Sequence, residues 1–169
     1  MKNVLEYLEV SADRYPEKIA FSDNASCLTY ARLRQLAERI GSYICKNTYF
    51  NGAPIAVLFG KNTDSVAAFL GVVYSGNIYT IIDSHMPLER INIIFDNLAP
   101  AAVITDRAHE AMARKIGFSG PILLIEDAQE HAADIELLTR VRACMTESDP
   151  LYVLFTSGAA GIPKGVVVT

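Results

Sequence analysis

Cysteine is scarce in this chain and falls into no pattern: Cys27, Cys45 and Cys144 are the only three in 169 residues. An odd number at wide spacing excludes a disulfide framework and reads as buried free thiols. Histidine is as sparse. His85, His109 and His131 form no His-x-x-x-His pair and adjoin no cysteine, so no zinc-ligand spacing exists and no metal site is expected. No apolar run reaches the length of a membrane-spanning helix, and the start, Met1-Lys2-Asn3-Val4-Leu5-Glu6, lacks the apolar core of a signal peptide. Positive charge is not in excess either. With 15 Lys and Arg against 19 Asp and Glu, the net charge is -4 and the pI is near 5.3, which argues against nucleic-acid and anionic-membrane partners. The expectation is a soluble cytoplasmic protein.

What remains is ordinary globular composition, 51% apolar and 20% charged, in a length that suits one domain with a sizeable core. From Asn3 to Tyr15 an amphipathic helix places Val4, Leu5, Leu8 and Ala12 on one side and stops at Pro16. Ile19 to Ser22 and Cys27 to Tyr30 flank Asp23-Asn24-Ala25-Ser26, which predicts a small hairpin. Thr29 then caps a long helix with Leu33, Leu36, Ala37, Ile40 and Ile44 inward and Arg32, Arg34, Gln35, Glu38 and Arg39 in water.

After Asn51-Gly52, strands and helices alternate. Ile55 to Phe59 is a continuous apolar run, and Asn62 or Thr63 opens a helix with Val66, Phe69, Leu70 and Val73 inward, ended near Gly76. Ile78 to Ile82 is the next strand. Pro87 starts a helix striped by Leu88, Ile91, Phe95 and Leu98. Ala101 to Thr105 and Ile122 to Ile125 read as strands around a weaker helix from Arg107 to Ile116, and Glu126 to Thr146 reads as an acidic surface connection with a helical turn or two, the helical patch lying around Ile135, Leu137, Leu138 and Val141. Leu151 to Phe155 reads as a buried strand. This alternation implies an α/β fold: a mostly parallel, doubly wound sheet with helices on both faces, preceded by a small β-hairpin, and with ligands at the carboxyl ends of its strands.

The stretch that follows the last strand carries the chemistry. Thr156-Ser-Gly-Ala-Ala-Gly-Ile-Pro-Lys-Gly165 combines hydroxyls, glycines and one lysine, the materials of a phosphate cradle: open backbone N–H groups, extra donors and a point charge. It is not a Walker loop, because Pro163 precedes Lys164 and Gly165 follows it. It is not a dinucleotide loop either, because the glycines stand at 158, 161 and 165 and an apolar segment, Val166 to Val168, follows where a helix would open. A glycine-rich hairpin fits better.

Phe155 to Val166 resembles the phosphate-loop signature of the AMP-forming adenylating enzymes: acyl-CoA synthetases, adenylation domains of nonribosomal peptide synthetases, D-alanine carrier-protein ligases and firefly-type luciferases. Ser75-Gly76-Asn-Ile-Tyr79-Thr-Ile-Ile-Asp83, with Pro87 and Arg90 following, is similar to a second motif of the family, and Pro16 to Ala20 and Leu28-Thr-Tyr30 resemble its opening helix and hairpin. The resemblance implies that residues 1–169 are a single domain, the amino-terminal subdomain of a larger adenylate-forming enzyme. It implies that Mg-ATP and a carboxylic or amino acid give an acyl-adenylate and pyrophosphate, and that a thiol of CoA or of a phosphopantetheinyl carrier protein takes the acyl group. By matching, Thr156 and Ser157 offer hydroxyls, Gly158, Gly161 and Gly165 backbone approach, and Lys164 charge; Ala159 and Ala160 fill the two positions where the family has hydroxyls, and Ile81 stands where it usually has proline. No catalytic residue is assigned within the chain. The piece alone is expected to be inactive, and Val166 to Val168 are expected to leave an apolar edge open to self-association. Two other readings stay open: a non-catalytic homologue or interaction module with a degenerate loop, and an unrelated α/β nucleotide-binding protein whose loop opens a helix. Gly158, Gly161 and Lys164 also admit a plain turn-and-surface reading, and Tyr79 and Asp83 one of strand-end packing and helix capping.

Overall fold

A computed structural model describes residues 3–49, 51–156 and 163–169. The first helix, α1 (Val4–Arg14), is capped by Asn3, whose side-chain oxygen accepts from Leu5 N at 2.8 Å, and it turns Leu5, Leu8 and Ala12 inward. The hairpin follows as β1 (Ile19–Ser22) and β2 (Cys27–Thr29). Thr29 caps α2 (Tyr30–Asn47), and Leu33, Leu36, Ala37, Ile40 and Ile44 are all buried.

The main sheet is built from β3 (Pro54–Phe59), β4 (Ile78–Asp83), β5 (Ala102–Thr105), β6 (Ile122–Leu124), β7 (Tyr152–Thr156) and β8 (Lys164–Val168). Their order across the sheet is β6-β5-β3-β4-β7-β8, parallel throughout except for β8, which runs antiparallel to β7. Strand β3 is central, and its alternation sorts the two faces. Ile55, Val57 and Phe59 belong to the core shared with α1, α2 and α3 (Thr63–Tyr74), whereas Ala56 and Leu58 join Ile82 against α4 (Leu88–Leu98) and α5 (Glu110–Lys115). The mostly parallel sheet with helices on both faces is therefore as expected. Among the described residues, no helix is long and apolar enough to cross a membrane.

Four local expectations need correction. In α3 the fully buried residues are Ala67, Ala68 and Val72, while Val66, Phe69 and Leu70 are only partly covered. The cause is a close crossing with α2, which selects the small side of the helix. A Cβ on Gly71 would lie 2.4 Å from Ile40 Cγ2, and one on Gly41 would lie 2.6 Å from Tyr74 Cβ. Next, residues 126–146 hold more helix than a turn or two: the expected helical patch is α7 (Ile135–Ala143), and α6 (Ile125–Glu130) precedes it, both packed on α2. Ile125, Ala128 and Leu138 are buried, Arg39 of α2 donates to Gln129 O at 2.7 Å rather than facing water, and Asp134 caps α7 by accepting from Leu137 N at 3.0 Å. In α4 the inward residues are Ile91, Ile94 and Phe95, with Leu88 exposed. Finally, Cys27 and Cys144 are exposed, so of the three thiols only Cys45 is partly buried.

The hairpin is tied to the main body through one carboxylate. Asp23 accepts from the backbone N–H of Ala25, Ser26 and Thr63 at 2.7, 2.8 and 2.8 Å, and Ser26 Oγ meets Thr63 Oγ1 at 2.7 Å. These bonds, led by that from Ala25 and then those from Thr63 and Ser26, hold the Asp23 carboxyl down to about 2 from an ordinary 3.8. A depressed folded-state value contributes stability that is present above the unfolded value and is lost as pH falls through the folded one. Asp23→Asn is therefore expected to lower the melting temperature at neutral pH, and its deficit relative to the parent should close between about pH 4 and about pH 2. Thermal melts of both chains across that range read the result; a deficit that stayed constant down to pH 2 would contradict the clamp.

Candidate functional site

The carboxyl ends of β3, β4 and β7 come side by side, because β3 pairs with β4 as far as Phe59 opposite Asp83 and β4 pairs with β7 through Tyr79–Tyr152 and Thr80–Val153. Thr156, the carboxyl end of β7, therefore stands on the rim where a doubly wound sheet offers its ligand sites. Thr156 is directly opposite Lys164 in the β7–β8 ladder, and Phe155 is opposite Gly165. Chain direction thus reverses across the loop and returns as a strand. This is the expected glycine-rich hairpin, and the return as a strand removes the helix-opening alternative. Ser157, Gly158, Ala159, Ala160 and Gly161 lie outside the described residues. Of the site residues drawn from the sequence, the structure brings together Thr156 and Lys164, both exposed and on one face of the sheet.

Gly165 is needed for packing as well. A Cβ there would stand 3.0 Å from Val153 Cγ1 and 3.3 Å from Phe155 Cζ, so the aromatic ring closes over the glycine on the α4 side. Strand β7 is less buried than its apolar run suggests. Only Val153 is buried and Leu154 is 41% exposed, because α2 and α3 cover the β5–β3–β4 side of the sheet but not β7 and β8. On that open side Phe69, Tyr79 and Tyr152 form an aromatic row, with ring centroids 4.9 and 5.3 Å apart. Burial, followed by the neighbouring Tyr152, pushes the Tyr79 phenol up to about 12. Tyr79 thus packs as expected.

Asp83 does not cap α4, whose N-cap is Pro87 with no side-chain bond. Its Oδ1 instead accepts from His85 N at 2.9 Å and meets His85 Nδ1 at 3.1 Å, closing the turn after β4. These bonds, the backbone one first, hold the Asp83 carboxyl below its ordinary value. A similar pair stands after β5, where Asp106 Oδ1 meets His109 Nδ1 at 2.6 Å. The His109 ring lies near the end of β3, with Cε1 3.8 Å from the place a Cβ would take on Gly60. His85 and His109, far apart in sequence, therefore both follow strand ends on the same side of the sheet, whereas His131 ends α6 and packs edge-on against Tyr43 of α2. Among the described residues, no group of three His, Cys, Asp or Glu side chains is placed to hold a metal.

Sequence reasoning missed a crevice over the carboxyl ends of β3 and β4, between those strands, α3 and the hairpin, with a volume of about 400 Å³. Val57, Phe59, Val66, Phe69 and Ile81 give it an apolar wall, and Lys61 and Asp83 stand at its mouth. The signal was the Gly60-Lys61-Asn62 turn after an apolar run, unremarkable until the fold sets β4 beside it. A larger cavity, about 540 Å³, lies at the opposite end of the strands against Asn3, Asn51, Met145 and Leu151, remote from the loop.

Comparison with known proteins agrees with this geometry. A family model described as AMP-binding enzyme matches residues 8–169. Tyrocidine synthase 1 of Brevibacillus parabrevis is 25% identical over 167 residues, which cover 99% of this chain and 15% of that protein. The D-alanine--D-alanyl carrier protein ligase of Lacticaseibacillus casei (strain BL23) is 29% identical over 167 residues, covering 99% of this chain and 32% of the ligase. Among solved structures, the nonribosomal peptide synthetase FmoA3 in its alpha-methyl-L-serine-AMP-bound form superposes with a TM-score of 0.84 at 26% identity, covering 99% of this chain and 18% of that one. The chain thus spans a third or less of the length of each of these relatives. With a family match across nearly its whole length, on a doubly wound sheet whose last parallel strand is followed by an antiparallel return, this chain belongs to the AMP-binding enzyme family.

Proposed function

We propose that this chain supplies the phosphate-holding part of an AMP-forming ligase, which activates a carboxylic or amino acid as its acyl-adenylate for transfer to a thiol. The observation that carries the reading is the β7–loop–β8 hairpin, with Thr156 and Lys164 facing each other at its base in a chain of this family. A carboxylate oxygen of the acid attacks the α-phosphorus of Mg-ATP, the bond from that phosphorus to the bridging oxygen breaks, and pyrophosphate leaves. Lys164 then opposes the charge that collects on the leaving oxygens, Thr156 and Ser157 donate hydroxyl hydrogens to them, and the glycines at 158, 161 and 165 let backbone N–H groups approach. None of these groups reacts; they position and stabilise. The thiol of a phosphopantetheinyl carrier protein or of CoA accepts the acyl group, in a cytoplasmic setting. Because the chain covers 32% of the carrier-protein ligase, the remaining elements of the reaction belong to residues outside these 169. The exposed side chains of Val166 and Val167, 49% and 56%, support self-association through β8 as a further part of this reading.

The test separates binding from turnover. Calorimetry is expected to show Mg-ATP binding by this chain, with no carboxylate-dependent ATP–pyrophosphate exchange by the chain alone. Exchange by these 169 residues would overturn the division of labour, and absence of nucleotide binding would favour the second reading, a non-catalytic homologue whose loop has lost its ligand. Ala159 and Ala160 motivate that second reading, and recovery of binding on Ala160→Thr would assign the loss to them.

A further inference from the structure

A cavity of about 470 Å³ lies between the carboxyl end of α4 and the turn after α5, and no step of the proposed reaction uses it. Its lining precedes β5 and β6, so in a parallel sheet it stands at the opposite end of the strands from Thr156. The side chains that α4 presents to it are acceptors. Asn92 and Asp96, one helical turn apart, both line it. Asn92 Oδ1 is buried and has no hydrogen-bond partner, and Asp96 forms no ion pair among the described residues. An unpaired buried oxygen destabilises the chain that carries it, and a donor from outside the chain relieves it.

The end of α4 adds to this polarity. Ala99 closes the helix in the left-handed region at φ 47°, its N–H donating to Phe95 O at 2.8 Å. Pro100 has no N–H, and Ala101 N donates instead to Pro54 O at 2.8 Å, so the residues that follow do not close the carbonyls of Asp96 and Asn97. No basic residue stands in this last turn to offset them. Of the two basic residues that end α5, Arg114 is held by Glu110 at 2.6 Å, and neither lines the cavity. Beside the acceptors, Phe95 and Phe118 meet edge to face with ring centroids 5.8 Å apart.

We propose that this cavity receives an arginine side chain of a partner polypeptide, its guanidinium donating to Asp96 and to Asn92 Oδ1 and lying against the Phe95–Phe118 pair. A planar fork of N–H donors meets several acceptors at once and stacks on aromatic rings, which an ammonium does less well. The covered Asn92 oxygen is reached by a turn of the amide about its last torsion. The site stands apart from the phosphate loop and holds whether or not that loop binds nucleotide.

The probes are N-acetyl-L-arginine amide, its lysine counterpart, which keeps the charge without the fork, and its citrulline counterpart, which keeps the planar donors without the charge. They are titrated at low salt into the 169-residue chain and followed by chemical-shift perturbation. The arginine compound is expected to bind tighter than either by roughly tenfold, with saturating shifts at Asn92, Asp96 and Phe118, and Asp96→Asn to remove about the same factor. Asn92→Leu gives a readout that a merely structural asparagine would not. Loss of an unpaired buried oxygen should leave the melting temperature unchanged or raised, while arginine binding weakens by roughly tenfold. Lys164→Ala should leave arginine binding intact while Mg-ATP binding falls, so failure here and failure of the nucleotide reading are distinguishable. Equal affinity for the three compounds, no saturating shift at millimolar concentration, indifference to Asp96→Asn, or a lowered melting temperature for Asn92→Leu would overturn the proposal.

Discussion

Gly71→Leu is expected to leave the chain unfolded at room temperature, and Gly71→Ala to lower its melting temperature by roughly 2–8 °C, corresponding to about 1–2 kcal/mol. Intrinsic helix propensity argues the other way, since glycine to alanine in a helix interior gains about 1 kcal/mol. Packing outweighs it at this crossing. A Cβ on Gly71 would sit 2.4 Å from Ile40 Cγ2, 2.6 Å from Ile40 Cβ and 3.3 Å from the Ala37 carbonyl oxygen. An Ile40 Cβ is fixed by its backbone, so no rotamer change relieves the contact and the two helices must separate. That separation would disturb Ala37, Ile40, Ala67 and Val72, all 0% exposed. Gly60→Ala is the contrast: the added Cβ meets only His109 Cε1 at an ordinary 3.8 Å, and stability should move by no more than about 0.5 kcal/mol. Thermal and urea unfolding of the three variants read the outcome, and a Gly71→Leu chain that melts like the parent would contradict the crossing.

The second large effect concerns binding. Lys164→Ala is expected to weaken Mg-ATP binding by roughly 10- to 100-fold, the range set by one charged hydrogen bond at about 1.5–3 kcal/mol, while leaving the melting temperature nearly unchanged because the side chain is exposed. Lys164→Arg keeps the charge and should retain part of the affinity. In the opposite direction, Ala159→Thr with Ala160→Thr should tighten binding, since each hydroxyl adds a donor to an anionic oxygen. Calorimetry at fixed salt measures all of these, and raised salt should shrink the Lys164 effect by screening. Nucleotide affinity indifferent to both the lysine and the hydroxyls would remove the hairpin from the phosphate-binding role.

Local signals were legible where one residue decides one bond. Thr29 and Asn62 accept the cap bonds expected of them, the Asp23 turn closes its hairpin, and the run from Thr156 to Gly165 reverses into a strand as its chemistry suggests. The misreadings share a cause. Hydrophobic periodicity marks which residues are apolar, not which partner covers them. Val66 and Phe69 look like the inward stripe of α3, but a helix that crosses α2 through glycine buries its small side and leaves the large side to the sheet and crevice. Leu154 looks buried inside an apolar strand, yet α2 and α3 do not reach across β7. The polar stretch after Ile125 hides α6 and the extent of its packing, because the contacts of α6 and α7 to α2 rest on a few apolar residues and on bonds to Arg39 and Ser42.

By itself the sequence determined most of the alternation of strands and helices, the doubly wound class, the reversal of the chain after the last parallel strand and the family it resembles, since each is written in residues adjacent along the chain. Strand order was decided only by the tertiary structure. Placing β4 beside β3 brings Lys61 and Asp83 to the lining of one crevice, and the parallel order sets the turns that carry His85 and His109 at the same end of the sheet. Such neighbours are tens of residues apart in the chain. They meet because parallel strands joined by crossover helices bring their carboxyl ends to the same edge, whatever their distance in sequence.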